Sequence, residues 1–223
     1  GKGILTKVIQ LQVKYLTAVE TDEMLSQQLN HFFSFHGARN IEIINADFLK
    51  YNIPNTEFKV ISNLPYNVGT AIIQKILPLK NWTTAVFMLQ KEVIQRLAAR
   101  PGSKAYSYIS IFTSYYAGCK TLFDVSPRCF NPPPKVISSV IKLTNKVPEP
   151  PDPVFFDLVK HAFKTRRKTI LNCLSSFKNL EKSKAAHIID ACALDPFLRP
   201  DKLSISDFLR LTDETRKHTI YNV

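Results

Sequence analysis

The chain has 223 residues, 45% of them hydrophobic, which is enough to bury the core of a globular protein. No apolar stretch reaches the ~18 residues that a membrane-spanning helix needs, so the sequence predicts none. The four cysteines and five histidines show no metal-ligand spacing, and we expect reduced thiols and no metal site.

The first two thirds of the chain alternate helical patterns with short apolar runs, which is typical of an α/β fold. Helices are predicted at residues 1–12 and 21–36, the second opened by Thr21 with Asp22 and Glu23 in its first turn. Further helices are predicted at 69–76, 91–99 and 106–117, and strands at 15–20, 41–45, 58–62 and 84–89. Residues 120–125 and 136–143 are predicted to form a closing pair of strands.

A proline-rich run at residues 146–153 holds four prolines in eight residues, too many for a helix or a central strand. It predicts a linker between a domain at 1–145 and a second domain at 154–223. Three helical patterns follow, at 154–177, 181–192 and 206–214. Helical spacing predicts a buried face for Phe155, Leu158, Val159, Ala162 and Phe163.

Polar side chains follow the predicted strands where those strands end. Glu20 ends the first strand and Asp47 follows the second. In an open α/β sheet, ligands bind beyond the carboxyl ends of the strands, and a carboxylate about 20 residues after a glycine-rich turn commonly binds ribose hydroxyls. Gly1 and Gly3, followed by Glu20, fit that spacing. Asp47 has two interpretations, a ligand-binding carboxylate or a cap of the next turn.

The tetrapeptide Asn63-Leu64-Pro65-Tyr66 follows the third apolar run and predicts an active-site loop. Pro65 fixes its own φ and disfavours a helical Leu64, so the nearby carbonyls are held in one direction. Asn63 Oδ1 and a loop carbonyl can then accept both hydrogens of a nucleobase amine, while Tyr66 offers a flat face to the base. The alternative is an ordinary turn.

These residues belong to one of five ordered blocks in which the sequence resembles the ribosomal RNA adenine N6-dimethyltransferases, closest to the KsgA-like small-subunit group. The blocks lie at 63–67, 87–93, 103–106, 130–136 and 198–204. The resemblance implies a Rossmann-like class I methyltransferase sheet, with an antiparallel addition at one edge and a small C-terminal all-α domain. Gly1 matches the last glycine of the family's Glu-x-Gly-x-Gly motif, so the first strand and its acidic residue are expected to lie outside this chain.

The resemblance also implies a cofactor, S-adenosylmethionine, and roles for individual residues. Catalysis is assigned to Asn63, Leu64, Pro65, Tyr66 and Phe130, with Phe130 facing Tyr66 across a flipped adenine. Gly1, Gly3, Glu20, Asp47 and Asn63 are assigned to the cofactor. Glu20 would bind its ribose hydroxyls and Asp47 its adenine amine. The alternative for Phe130 is a buried core side chain.

The net charge of +12 is concentrated in one part of the chain. Residues 90–146 hold nine Lys or Arg against two acids, a local charge of +7. Such a segment can neutralise RNA phosphates, although a solvated basic surface is the alternative. The residues predicted to bind RNA are Lys91, Arg128, Lys135, Arg166, Arg167 and Lys168. The last three lie in the predicted helix 154–177, and a solvated helix face is the alternative for them.

Three functions are compatible with these observations. The first is transfer of methyl groups to N6 of two adjacent adenines in a small-subunit ribosomal RNA hairpin, with the immature small subunit as partner. The second is a large-subunit methyltransferase of the macrolide-resistance type. The third is a catalytically silent RNA-binding assembly or transcription factor of the same family. We expect a monomer, cytoplasmic if bacterial and nucleolar or organellar if eukaryotic.

Overall fold

The structure is a computed structural model that describes residues 1–218. It divides into two compact units, Gly1–Thr56 and Glu57–Val223, and each is described by itself. None of the described helices is long and apolar enough to cross a membrane.

The first unit contains two helices, α1 (Ile4–Gln10) and α2 (Glu23–Phe35), and two parallel strands, β1 (Leu16–Glu20) and β2 (Ile41–Asn45). Helix α1 begins later than predicted because Gly3 has a left-handed backbone, with φ 73°. The predicted cap Thr21 was wrong. Asp22 caps α2 instead, its side chain accepting a hydrogen bond from the Leu25 amide at 2.9 Å.

The second unit is built on a four-stranded sheet in the order β3-β4-β6-β5. Its strands are β3 (Phe58–Asn63), β4 (Trp82–Gln90), β5 (Ala117–Val125) and β6 (Ser138–Asn145). Strands β3 and β4 are parallel, whereas β6 runs antiparallel to both β4 and β5, so the predicted closing pair is confirmed. Three helices connect these strands: α3 (Gly69–Ile76), α4 (Lys91–Leu97) and α5 (Tyr108–Tyr116).

One face of this sheet is fully buried. Ala85, Phe87 and Leu89 of β4 and Ile141 and Leu143 of β6 alternate with less buried neighbours and are at most 1% exposed. Residues two apart on a strand share a face, so these five side chains form one apolar layer. The layer fixes the ends of β4 and β6, where the candidate site lies.

Four further helices follow the proline-rich run. They are α6 (Pro153–Lys164), α7 (Ile170–Ser175), α8 (Lys182–Ala191) and α9 (Ile205–His218). The predicted single helix at 154–177 was wrong, because the chain leaves the helical path between α6 and α7. Thr169 adopts an extended backbone and caps α7 by accepting a hydrogen bond from the Asn172 amide. Residues 166–168 therefore lie in a connection and not on a helix face.

The core of this helical region includes the predicted apolar face of α6. Phe155, Leu158, Val159 and Ala162 are fully buried and Phe163 is partly buried. The same cluster includes side chains from before the proline-rich run, Tyr106 and Ile111 among them. Residues on both sides of the proline-rich run thus share one core and belong to the same compact unit. The domain boundary at 146–153 therefore stays a prediction.

Candidate nucleobase and cofactor site

The tetrapeptide predicted from sequence lies at the carboxyl end of β3. Asn63 is the last residue of the strand and pairs in register with Met88 of β4. The Leu64 amide donates to the Met88 carbonyl at 3.1 Å, which extends the strand pairing by one residue. The Pro65 carbonyl then accepts a hydrogen bond from the Gly69 amide at 2.9 Å, so the loop passes directly into α3. Both ends of the tetrapeptide are thus fixed by the backbone.

Close packing behind the loop depends on Gly69. Leu64 is only 4% exposed, and a Cβ added at Gly69 would lie 3.3 Å from the Leu64 Cβ and overlap the Leu89 Cδ2. The absence of a side chain at this position allows the first turn of α3 to approach the loop and β4. The loop is therefore held against a rigid wall.

Two hydrogen-bond acceptors of the loop have no partner within residues 1–218. The side chain of exposed Asn63 makes no hydrogen bond there, and the Leu64 carbonyl oxygen accepts none. An exocyclic amine carries two N–H donors, and these two acceptors come from adjacent residues of a fixed backbone. The arrangement is suited to binding and orienting such an amine.

Tyr66 is attached to the sheet through its hydroxyl group. Its oxygen lies 2.7 Å from Ser138 Oγ, and Ser138 is fully buried at the start of β6. Ser138 pairs in register with Gln90 at the carboxyl end of β4. The tetrapeptide, the end of β4 and the start of β6 thus meet at one edge of the sheet, and the Tyr66 ring stays 36% exposed there.

Phe130 lies in the connection between β5 and β6. It follows a single 3-10 turn, Pro127–Cys129, and its amide donates to the Pro127 carbonyl at 3.1 Å. The side chain is half-buried, and the peptide bond between Asn131 and Pro132 is cis. Since this connection leads into Ser138, Phe130 belongs to the segment that ends beside Tyr66.

In the first unit, parallel pairing brings the ends of β1 and β2 together. The Ala46 amide and the Asn45 side chain each donate to the Glu20 carbonyl at 3.0 Å. The Glu20 carboxylate accepts a hydrogen bond from the Asp22 amide at 3.1 Å and contacts the Gly1 amino nitrogen. Burial tends to raise the pKa of this carboxyl, but the hydrogen bonds outweigh it and the pKa lies below its usual value. Glu20 is therefore an ionised carboxylate, which can accept hydrogen bonds from the two hydroxyls of a ribose.

Asp47 is a turn cap in this structure. Its Oδ1 accepts a hydrogen bond from the Leu49 amide at 2.9 Å, and its carbonyl accepts from the Lys50 and Tyr51 amides. The cap interpretation is thus confirmed, and it leaves Asp47 Oδ2 as an acceptor. The cofactor role of Asp47 stays a prediction.

Gly1 and Gly3 differ in their surroundings. A Cβ at Gly1 would have no atom within 4 Å, whereas one at Gly3 would overlap the Leu29 side chain. Gly3 also requires a left-handed backbone, which residues with a Cβ rarely adopt. Because Glu20 and Asp47 both supply hydrogen-bond acceptors, this edge fits a nucleoside whose ribose hydroxyls and amine are donors.

The predicted RNA-binding residues fall into two groups. Lys91 forms an ion pair with Asp124 at 2.6 Å, and Arg166 donates to the Lys104 carbonyl at 3.1 Å and lies 3.7 Å from Asp201. These two cations have partners within the protein. The second group is exposed and forms no ion pair in the part of the chain that the structure describes: Arg128, Lys135, Arg167 and Lys168.

Sequence reasoning missed Ser138 and Asp124. The hydrogen bond between the Lys91 ammonium and Asp124, with a second from the Ser139 hydroxyl, lowers the pKa of the Asp124 carboxyl. Ser138 is 72 residues from Tyr66, and Asp124 is 33 residues from Lys91. No local pattern connects such positions, although the position of Ser138 two residues after the block at 130–136 was a usable signal.

Comparison with known proteins shows similarity along nearly the whole chain. The family model described as ribosomal RNA adenine dimethylase matches residues 1–217. A protein of Alkaliphilus oremlandii named ribosomal RNA small subunit methyltransferase A is 39% identical over 234 residues, covering 97% of this chain and 80% of the relative. Its namesake in Gloeobacter violaceus is 37% identical over 221 residues, covering 96% and 79%.

Two solved structures are also similar. A dimethyladenosine transferase from Plasmodium falciparum has a TM-score of 0.84 at 25% identity, covering 97% of this chain and 87% of that one. The 23S rRNA methyltransferase ErmE has a TM-score of 0.72 at 23% identity, covering 96% and 87%, and shows the fold alone. The predicted class I methyltransferase fold is thereby confirmed.

Proposed function

This chain belongs to the ribosomal RNA adenine dimethylase family, and from this we propose that it transfers methyl groups to N6 of two adjacent adenines in a hairpin of small-subunit ribosomal RNA. Two successive transfers to each base give N6,N6-dimethyladenosine during ribosome assembly. The observation that carries the proposal is a pair of acceptors that have no partner among residues 1–218, Asn63 Oδ1 and the Leu64 carbonyl, on a loop fixed at both ends and adjacent to Tyr66.

The methyl donor that we propose is S-adenosylmethionine, which supplies a methyl group activated by a positively charged sulfur. Glu20 would hold its ribose hydroxyls and Asp47 its adenine amine, while Gly1 and Gly3 leave room beside it. The lowered pKa of Glu20 supports its part, because an ionised carboxylate can accept a hydrogen bond from each of two ribose hydroxyls.

The loop residues supply the orientation of the target base. Asn63 and the Leu64 carbonyl accept the two N6 hydrogens, which helps to localise the nitrogen lone pair and aims it at the methyl group. Tyr66 and Phe130 stack on the two faces of the flipped adenine. Positioning of this kind accounts for most of the catalysis in a direct displacement. The displacement would release the sulfur of the donor as a neutral thioether and leave a methylammonium on the base. That cation is acidic and loses its proton to water, so no side chain has to act as a general base.

Charge supports an RNA substrate and indicates which cations would contact it. Arg128 and Lys135 flank Phe130 in sequence, and Arg167 and Lys168 lie in the exposed connection after α6. Free cations of this kind neutralise phosphates without reading sequence. We therefore propose the helical region at 154–223 as an RNA-binding part of the protein, with Lys91 and Arg166 contributing less because they already have partners.

The proposal can be tested by transfer of labelled methyl from S-adenosylmethionine, catalysed by the full-length protein, to unmethylated small and large ribosomal subunits. We expect dimethyladenosine in the small subunit only. Label in the large subunit would support the large-subunit alternative. Tight RNA binding without any product would support a silent binding factor and contradict the proposal.

A further inference from the structure

We propose that Ser138 is a positioning residue that holds the Tyr66 ring at the place where it stacks on the target adenine. This role rests on the proposed function and assigns a task to a residue outside the loop itself. It follows from the geometry of one hydrogen bond, from the burial of Ser138 and from the strand on which Ser138 lies.

The hydrogen bond joins an exposed ring to a buried group. Tyr66 Oη and Ser138 Oγ are 2.7 Å apart, with the Tyr66 residue 36% exposed and Ser138 completely buried. A tyrosine on a loop can otherwise rotate about its two side-chain torsions. A bond at the far end of the ring fixes the first of these torsions, because any change in it would move the hydroxyl away from Ser138. The ring therefore keeps one position beside the site before the RNA arrives.

Ser138 is itself held rigidly. It is the first residue of β6 and pairs with Gln90 on one side and Val125 on the other. A strand with neighbours on both sides positions a side chain more accurately than a loop does. Within residues 1–218, Tyr66 is also the only hydrogen-bond partner of the Ser138 hydroxyl. If the ring turned away, a buried hydroxyl would be left without a partner, which is unfavourable.

The adjacent residue provides a matched control. Ser139 is also buried, but successive side chains of a strand point to opposite faces. Its hydroxyl donates to the Asp124 carboxylate and not to Tyr66. Replacing either serine by alanine removes one buried hydroxyl from the same strand, and only the change at Ser138 frees the Tyr66 ring.

The experiment is a double-mutant cycle in the full-length protein, with labelled methyl transfer to unmethylated small subunits as readout. We expect Ser138→Ala and Tyr66→Phe each to lower kcat about tenfold. Both variants keep an aromatic ring at position 66, but they lack the hydrogen bond that holds it in position. The double variant should lose no more than either single variant, since all three lack the same bond. Ser139→Ala should keep the wild-type kcat.

Two further measurements separate positioning from general damage. The affinity for S-adenosylmethionine should stay near wild type in Tyr66→Phe, and the thermal midpoint should fall by only a few degrees, because the buried Ser138 hydroxyl loses its partner. This variant tests the bond from its exposed end even if Ser138→Ala folds poorly. The role of Ser138 would be overturned if the fold loss of kcat in the double variant equalled the product of the two single losses. An unchanged kcat in Tyr66→Phe would also overturn it. An inactive wild-type protein would instead overturn the proposed function, and this role with it.

Discussion

The Leu64 amide donates a hydrogen bond to the Met88 carbonyl at 3.1 Å, one residue beyond the end of β3. The parallel pairing of β3 and β4 therefore continues into the loop, and Asn63 is held by the sheet although its side chain is exposed. A side chain with this support and no partner within residues 1–218 is available to a ligand.

Replacement of Asn63 by alanine should reduce methyl transfer by ~10²–10³-fold, in line with the loss of one preorganised hydrogen-bonding group in other active sites. RNA affinity should stay nearly unchanged, because in the proposed mechanism Asn63 would contact a single base amine. Asn63→Asp keeps an oxygen acceptor at the same place and should retain more activity than Asn63→Ala. Methyl transfer is measured with a labelled methyl group and RNA affinity by filter binding. A fall in RNA affinity parallel to the fall in activity would indicate that Asn63 maintains the structure of the loop and does not orient the base.

Replacement of Arg167 and Lys168 together by alanine should flatten the salt dependence of RNA binding. Each lost phosphate contact lowers the slope of log affinity against log salt by about 0.7 to 0.9, so we expect a change of up to about 1.8. Arg166→Ala is the matched control, since its guanidinium already contacts Lys104 and Asp201. It should lower the stability and leave the slope nearly unchanged, and the reverse pattern would contradict the assignment.

Gly69→Ala should destabilise the protein by about 1–3 kcal/mol, because the new Cβ would crowd Leu64 and Leu89. Elsewhere in a helix this substitution commonly stabilises by ~0.5–1 kcal/mol, so even a small loss indicates crowding. Urea denaturation measures the change. Gly118→Ala is the control, as its Cβ would lie 3.9 Å from the Thr144 carbonyl oxygen and should have little effect. A raised midpoint for Gly69→Ala would contradict the packing argument.

Alkylation at pH 8 should modify Cys129 before the other cysteines. Cys129 is exposed, whereas burial raises the pKa of Cys119 to about 11, partly offset by Lys146, and also raises the pKa of Cys173 and Cys192. Only about one Cys119 side chain in 1,000 is then the reactive thiolate. Between pH 8 and pH 9 its modification rate should rise about tenfold. Mass spectrometry after iodoacetamide treatment measures the order, and rapid labelling of Cys119 at pH 8 would contradict it.

Local patterns were sufficient for elements whose signal lies within one segment. The strand at Ile41–Asn45 and the helix at Gly69–Ile76 have the predicted bounds, because alternating apolar residues and helix-starting residues are local properties. The predicted helix at 154–177 failed because no proline or glycine interrupts residues 154–177, whereas the side chain of Thr169 starts a new helix there. A cap depends on the backbone conformation of one residue, which spacing does not reveal.

The sequence alone determined the chemistry of the loop at 63–66, an amide and a rigid carbonyl beside an aromatic ring, and it showed carboxylates at the ends of two other strands. Pro65 and the residue types are sufficient for that, since they act within one loop. Only the tertiary structure decided which groups are free to act. Strand pairing brings Ser138 to Tyr66 and Asp124 to Lys91, and folding places Arg166 against Lys104. Contacts between residues far apart in sequence form only when the sheet and helices pack, so no local pattern could have shown them.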